Sequence, residues 1–224
     1  MHDFDLEKTL SSDSINISSD MLEIGLDSIL KDGLLKDIPV FSTLTSIAKL
    51  GLNIKDRLFI KKLVHFLYET QNISISKRQE VIDEINKSQK YQSTVGEKLI
   101  FIIDKSDEIS KARHVGKLFS FVLSQKISYT MFVRCSEAIN KTFNPDLEWF
   151  LSQSHYGFHD SLERDSLMNS GILKITYAKG ESTFGESTFE LKYEISDIGL
   201  CLHKYLGKSV DRLLLIDDKK NNKW

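Results

Sequence analysis

The amino-acid sequence predicts a mainly α-helical protein, in which a helical bundle is followed by a small α+β module with a two-stranded β-hairpin. Three observations lead to this prediction. The 224 residues include only 2 Pro and 11 Gly, which is too few for a turn-rich all-β fold. Apolar residues and helix-capping side chains recur at helical spacing over residues 18–143. After Tyr156 the pattern changes to the strict alternation of strands.

The chain begins with an acidic segment that is followed by an apolar and basic one. Residues 1–30 carry seven acids and Lys8, a net charge of −6, and we expect residues 1–17 to form a flexible arm. Residues 38–67 are the most apolar stretch, and basic residues interrupt it at Lys49, Lys55, Arg57, Lys61 and Lys62. Apolar residues occupy more than one helical face there, which indicates a central helix or a second contact surface.

Capping signals divide the next part of the bundle into helices. Ser76-x-x-Gln79 and Thr94-x-x-Glu97 are capping boxes, in which the first side chain and the last satisfy each other's backbone N–H groups. Residues 107–125 predict a long helix, and Ser128 caps the next one. Asn144-Pro145 predicts a helix with Asn at the cap and Pro at the first helical position.

The C-terminal part alternates between short helices and strands. The first predicted elements are a helix capped by Asp160-x-x-Glu163 that includes Leu162 and ends at Gly171, and a strand from Ile172 to Tyr177. A polar turn or flexible loop from Lys179 to Thr188 follows, then a strand from Phe189 to Ile195, and a helix that begins after Ser196 and ends before Gly207. We expect residues 217–224 to form a frayed, charged tail.

Two segments of this part resemble the winged-helix superfamily. Leu167-Met168-Asn169-Ser170-Gly171-Ile172-Leu173 is similar to the end of its third helix, and Tyr193-Glu194-Ile195-Ser196-Asp197-Ile198-Gly199 to its step out of the wing. The resemblance implies a winged-helix-like domain over residues 144–216. The N-terminal helical part resembles only helical domains of uncharacterised bacterial proteins, some of them near phage-defence genes, and this likeness assigns no residue a role.

A winged helix often implies DNA binding, but the charges of this one argue otherwise. The helix that would enter the major groove, near residues 159–169, carries Asp160, Glu163 and Asp165 against Arg164 alone. Carboxylates there repel the phosphates whose neutralisation drives binding. The net charge of the chain is −2, so no general basic field attracts nucleic acid either.

We therefore expect a non-enzymatic intracellular protein that contacts a protein partner, or a second copy of itself, through the bundle, the winged-helix-like module or both. One alternative is a DNA-binding transcriptional regulator, with Arg164, Lys174, Lys179 and Lys192 on phosphates. Another is a membrane-associating effector that uses the basic residues of segment 38–67 on anionic lipid. Nucleic acid and a membrane surface thus stay open as partners, and no small-molecule substrate is indicated.

Enzymatic and metal chemistry find little support in the sequence. The phosphate-binding loop, the nucleophile elbow, the H-E-x-x-H motif and the dinucleotide fingerprint are all absent. His155, His159, Cys201 and His203 include zinc-ligand types, but their spacing is unusual, and we predict neither a metal site nor a cofactor.

Cys135 and Cys201 are expected to be separate buried residues rather than a disulfide framework. With no secretory signal and no apolar run longer than eleven residues, we expect a cytoplasmic location.

Overall fold

The computed structural model describes residues 54–88, 94–153, 162–181 and 187–207, with the side chains at 54–57, 177–181 and 187–191 outside the description. This part of the chain is mainly helical and includes one two-stranded antiparallel sheet, as the sequence predicts. The predicted acidic arm, the first part of segment 38–67 and the charged tail lie outside the described residues. The chain divides into two compact units between Phe132 and Val133.

The first unit is helical. Its helices are α1 (Ile54–Thr70), α2 (Ile75–Lys87), α3 (Val95–Lys105), α4 (Ile109–Leu123) and the first residues of α5 (Tyr129–Lys141). Helix α1 packs against both α3 and α4, which is the central position that its apolar pattern predicts. The rings of Phe66, Phe119 and Phe132 form the middle of the core, with centroids 5.7 Å apart for the first pair and 5.3 Å for the second.

A glycine allows α1 and α4 to approach each other closely. The position of a Cβ atom at Gly116 would lie 2.7 Å from the carbonyl oxygen of Phe66 and 2.8 Å from its Cα. Both of these atoms belong to the backbone of α1, so no rotamer change could make room for a side chain. The absence of a Cβ at Gly116 thus sets the distance between the two helices.

The capping predictions have mixed outcomes. The Thr94 hydroxyl accepts from the backbone N–H of Glu97, and the Glu97 carboxylate accepts from that of Thr94, so this capping box is confirmed. The Ser128 cap is confirmed as well, because its hydroxyl accepts from the N–H of Met131. The box at Ser76 is wrong: α2 begins at Ile75, so Ser74 holds the cap position and Ser76 already lies inside the first turn.

The second unit contains the rest of α5, then α6 (Asn144–Ser152), α7 (Arg164–Asn169), β1 (Leu173–Glu181), β2 (Ser187–Ile195) and α8 (Asp197–Leu206). Leu202 and Leu206 of α8 are buried, as are Phe150 and Leu151 of α6 and Leu167 of α7. Helix α6 contacts both α7 and α8, and α8 also contacts β2. The strands therefore pack beside three short helices of the same unit.

Three boundaries in this unit differ from the prediction. Helix α6 starts at Asn144, so Phe143 takes the cap position that was assigned to Asn144. Helix α7 starts at Arg164, which leaves Leu162 outside it and 97% exposed, while Asp160 is outside the described residues. The polar segment 179–188 is only partly a turn, because backbone pairing continues through Glu181 and resumes at Ser187. The ends of the strands are not visible in the polar sequence, because the pairing of a hairpin uses backbone groups and does not require apolar side chains.

Candidate interaction surface of the hairpin module

The two segments that carry the winged-helix resemblance dock onto each other at a junction of Gly171, Ser196 and Gly199. Gly171 ends the turn after α7 with φ +82°, a left-handed conformation that glycine adopts without strain. The Ser196 hydroxyl donates to the Gly171 carbonyl at 2.6 Å and accepts from the Gly199 N–H at 3.1 Å. A Cβ on Gly199 would collide with the carbonyl oxygen of Ile172. This junction positions α8 at the base of the hairpin.

The hairpin register separates polar from apolar side chains. Lys174 pairs with Glu194 and Thr176 with Lys192, whereas Ile175 pairs with Tyr193 between them. Directly opposed residues point to the same face of an antiparallel pair, and successive residues alternate between faces. One face therefore carries Lys174, Thr176, Lys192 and Glu194, which we call the polar face.

The opposite face of the hairpin carries Ile175 and Tyr193, and Arg164 of α7 lies against it. The guanidinium carbon of Arg164 is 4.8 Å from the centroid of the Tyr193 ring, which is cation–π geometry. Arg164 Nε also donates to the Asp165 carboxylate at 3.3 Å. Ile175 is 42% exposed at the centre of this face. We call Arg164, Ile175 and Tyr193 the aromatic face.

Of the four basic residues of the DNA-binding alternative, the three with described side chains lie on two different faces of the hairpin. Lys174 and Lys192 share the polar face, where Lys174 Nζ is 3.8 Å from Glu194 Oε2. Arg164 lies on the aromatic face. Lys179 pairs with Phe189 in the register, and its side chain is outside the described residues. Arg164 and Lys174 thus each have a carboxylate of the same module beside them.

The basic residues of segment 38–67 have different surroundings. Lys62 donates to the backbone carbonyls of Asp104 and Ser106 at 2.7 and 2.9 Å, so it stabilises the C-terminal end of α3, where the helix dipole favours a cation. Burial lowers the pKa of Lys62, and the charges of Asp104 and Asp107 oppose that shift. Lys61 is half-buried on α1. Lys49, Lys55 and Arg57 have no described side chains.

No helix of the described ranges combines the length and the hydropathy that crossing a membrane requires.

An exposed group on α3 was not predicted. Phe101 is 50% exposed, and the ammonium groups of Lys98 and Lys105 lie 5.4 and 4.5 Å from the centroid of its ring. The spacing of three and four residues places all three side chains on one face of the helix, a signal that the sequence contained. This aromatic and basic group is a second candidate contact patch, on the helical unit.

His65 is a half-buried histidine of the helical unit. It lies on α1, and its Nδ1 is buried without a hydrogen-bond partner. Burial lowers the pKa of His65, Lys61 and Arg113 add to the effect, and Glu69 opposes it. Arg113 of α4 reaches Glu69 of α1 at 2.7 Å, which links the two helices beside this histidine.

The residues considered as zinc ligands do not come together where the structure describes them. His203 Nε2 is 2.7 Å from the Gln153 carbonyl, and its ring meets the edge of the Phe150 ring. Cys201 lies beside Cys135 instead, whose thiol lowers the pKa of Cys201 by hydrogen bonding. His155 and His159 are outside the described residues. Among the residues with described side chains, no three His, Cys, Asp or Glu come together as a metal site.

The contact between Cys135 and Cys201 is the arrangement that sequence reasoning missed. Both cysteines lie in the second unit, one on α5 and the other on α8, and both are reduced. No local pattern links two residues so far apart in the chain, because only the packing of α8 against α5 brings them together.

Comparison with protein-family models, with curated proteins and with solved structures finds no match to this chain.

Proposed function

We propose that this chain is a non-enzymatic cytoplasmic protein that acts by binding another protein, and that the C-terminal module is a winged-helix-like domain used for protein contact. The order of short helix, Gly171 turn, hairpin and Ser196-capped helix supports this description of the module. The docking of the two motif segments at Gly171, Ser196 and Gly199 supports it as well.

The observation that carries the proposal is the pairing of the module's own cations. Arg164 lies on the Tyr193 ring next to the Asp165 carboxylate, and Lys174 faces Glu194 across the hairpin. A DNA-binding surface gains affinity by bringing cations to phosphates and releasing counterions. If Arg164 and Lys174 contacted DNA, the neighbouring carboxylates of Asp165 and Glu194 would also lie near the phosphates and repel them. A protein surface of mixed charge tolerates such pairs at its rim.

The aromatic face has the composition of a protein-binding surface. Tyr and Arg are enriched in interfaces and in the residues that dominate their binding energy. Tyr193 and Arg164 lie together here with the exposed Ile175 beside them. An exposed β-branched side chain next to an aromatic ring and a guanidinium can bury apolar area while the rim stays polar.

The experiment compares the two faces of the hairpin in the intact chain. A photo-crosslinking amino acid at Ile175 is expected to give a protein adduct in cells, whereas the same group at Thr176, one residue away on the polar face, is expected to give little. Sedimentation velocity of the purified chain then tells whether the bound protein is a second copy. Equal adducts from both positions, or none from either, would contradict the assignment of the aromatic face.

The DNA alternative is tested separately. Fluorescence anisotropy with a random duplex at about 50 mM salt is expected to show no binding, since salt-sensitive attraction is strongest at low salt. Binding at low salt that weakens steeply on addition of salt would overturn the proposal. In that case Lys174→Ala and Lys192→Ala would reduce the salt dependence more than Arg164→Ala does.

A further inference from the structure

The two cysteines of the chain are in direct contact inside the second unit. Cys135 lies in the middle of α5, and Cys201 lies in the middle of α8. Each thiol shifts the pKa of the other by hydrogen bonding, which requires the two side chains to lie close together. The Cys135 sulfur also lies 4.0 Å from the carbonyl oxygen of Ile198, one turn before Cys201 on α8. Both contacts place the Cys135 sulfur against the same turn of α8.

The surroundings of the two thiols are unequal. Cys135 is fully buried, whereas Cys201 is partly exposed. The hydrogen bond from Cys135 lowers the pKa of the Cys201 thiol, burial opposes this effect, and the nearby charge of Lys204 adds to it. The same hydrogen bond and burial raise the pKa of Cys135. Redox-sensing cysteines have this arrangement, with an accessible and readily ionised thiol beside a second thiol that resolves it.

We propose that Cys135 and Cys201 are a redox modification site, at which hydrogen peroxide converts the two neighbouring thiols into an intramolecular disulfide. The position of the Cys135 sulfur against the turn of α8 that leads to Cys201, together with the unequal exposure of the two thiols, carries this assignment. A metal is a poorer fit, because a structural zinc site needs four ligands and no third described His, Cys, Asp or Glu joins the pair.

The reaction takes place in two steps. The Cys201 thiolate attacks one peroxide oxygen, the O–O bond breaks, and the departing hydroxide takes a proton to become water. Cys201 is then a sulfenic acid. The Cys135 sulfur attacks the Cys201 sulfur, the S–O bond breaks, and the hydroxide leaves with the Cys135 proton as a second water. The two thiols together lose two electrons and two protons to the peroxide.

A disulfide has an S–S length of about 2.05 Å, so the two sulfurs must move from non-bonded to bonded distance. Rotation about the side-chain bonds changes the distance between two thiols on facing turns. The disulfide would link α5 covalently to α8, the helix that follows the hairpin.

The test uses the reduced full-length chain. It is exposed to hydrogen peroxide, its remaining thiols are alkylated, and intact-mass spectrometry with peptide mapping follows. The expected product is a monomer that is lighter by two hydrogen atoms before alkylation, that resists alkylation at both cysteines, and that links the two cysteine peptides. Dithiothreitol should restore both thiols. Two thiols that stay free, or a disulfide that forms only between chains, would overturn the proposal.

Single variants assign the two roles. In Cys135→Ser, Cys201 should accumulate as a sulfenic acid that dimedone traps, whereas in Cys201→Ser the buried Cys135 should stay reduced. A matched control, Cys201→Ser with Leu200→Cys, places an exposed thiol one position away on α8 but without a neighbouring thiol. Cys201 is expected to react at least about tenfold faster than this control thiol. Equal rates would overturn the assignment of Cys201 as the attacking thiol, and circular dichroism checks that each variant is folded.

Discussion

The close approach of α1 and α4 predicts a large effect of a single methyl group. In Gly116→Ala the new Cβ would lie 2.7 Å from the Phe66 carbonyl oxygen, where ordinary contact begins near 3.4 Å, so the helices must separate by about 0.7 Å. A gap of that size removes roughly a quarter to a half of the dispersion energy of each atom pair in the seam.

The expected magnitude follows from two opposing effects. Overpacking of this kind costs about 1 to 3 kcal/mol, and the upper half of that range applies because the obstructing atoms are backbone. Alanine recovers about 1 kcal/mol through its higher helix propensity. The free energy of unfolding should therefore fall by about 1 to 2 kcal/mol. With a urea m-value of about 2 kcal/mol/M, the midpoint should fall by about 0.5 to 1 M.

Urea denaturation followed by far-ultraviolet circular dichroism measures this change, and hydrogen exchange of peptides from α1 and α4 locates it. The matched control is the exposed neighbour Lys117, where Lys117→Ala should be more stable than Lys117→Gly by about 1 kcal/mol, because only helix propensity acts there. A Gly116→Ala variant as stable as the wild type or more stable would refute the packing of Gly116 on the Phe66 backbone.

Three further predictions concern caps and one buried histidine. Thr94→Ala should lower the free energy of unfolding by about 1 kcal/mol, whereas Ser76→Ala, which removes no cap, should change it by less than about 0.5 kcal/mol; urea denaturation distinguishes the two. Ser196→Ala should cost about 2 kcal/mol, since it removes the cap of α8 and the bond to the Gly171 carbonyl, and an equal loss in the exposed control Ser152→Ala would contradict this. Because the pKa of His65 is lowered in the folded chain, the unfolded chain takes up its proton first, and stability should decrease as the pH falls below about 6.5. His65→Gln should flatten that decrease, which urea midpoints between about pH 5 and 8 measure, and an unchanged pH profile would argue against it.

The course of the helices was largely predictable because helix ends depend on nearby residues. Thr94 and Glu97 are three positions apart and satisfy each other's N–H groups, so the pattern itself contains the contact. Ser74 and Ser76 show the limit of this reasoning, since both residues suit a cap and lie two positions apart.

The candidate surface was predictable only in part. The alternation of residues 189–195 predicts a strand, but the partner of each residue follows from the register, which the sequence does not state. Lys174 and Lys192 are phosphate contacts in the DNA-binding alternative, and the register places Glu194 directly opposite Lys174, which the sequence did not indicate. The stacking of Arg164 on Tyr193 requires α7 and the hairpin to be in place together.

The sequence by itself determined the helical class, the confirmed caps, the Gly171 turn and the positions of the two strands, because each of these follows from the pattern of neighbouring residues along the chain. Only the tertiary structure decided that Lys62 stabilises the end of α3 and that Cys135 meets Cys201. Each of these contacts joins residues more than forty positions apart. Such contacts depend on how whole helices pack, and the pattern of any one helix is compatible with several partners.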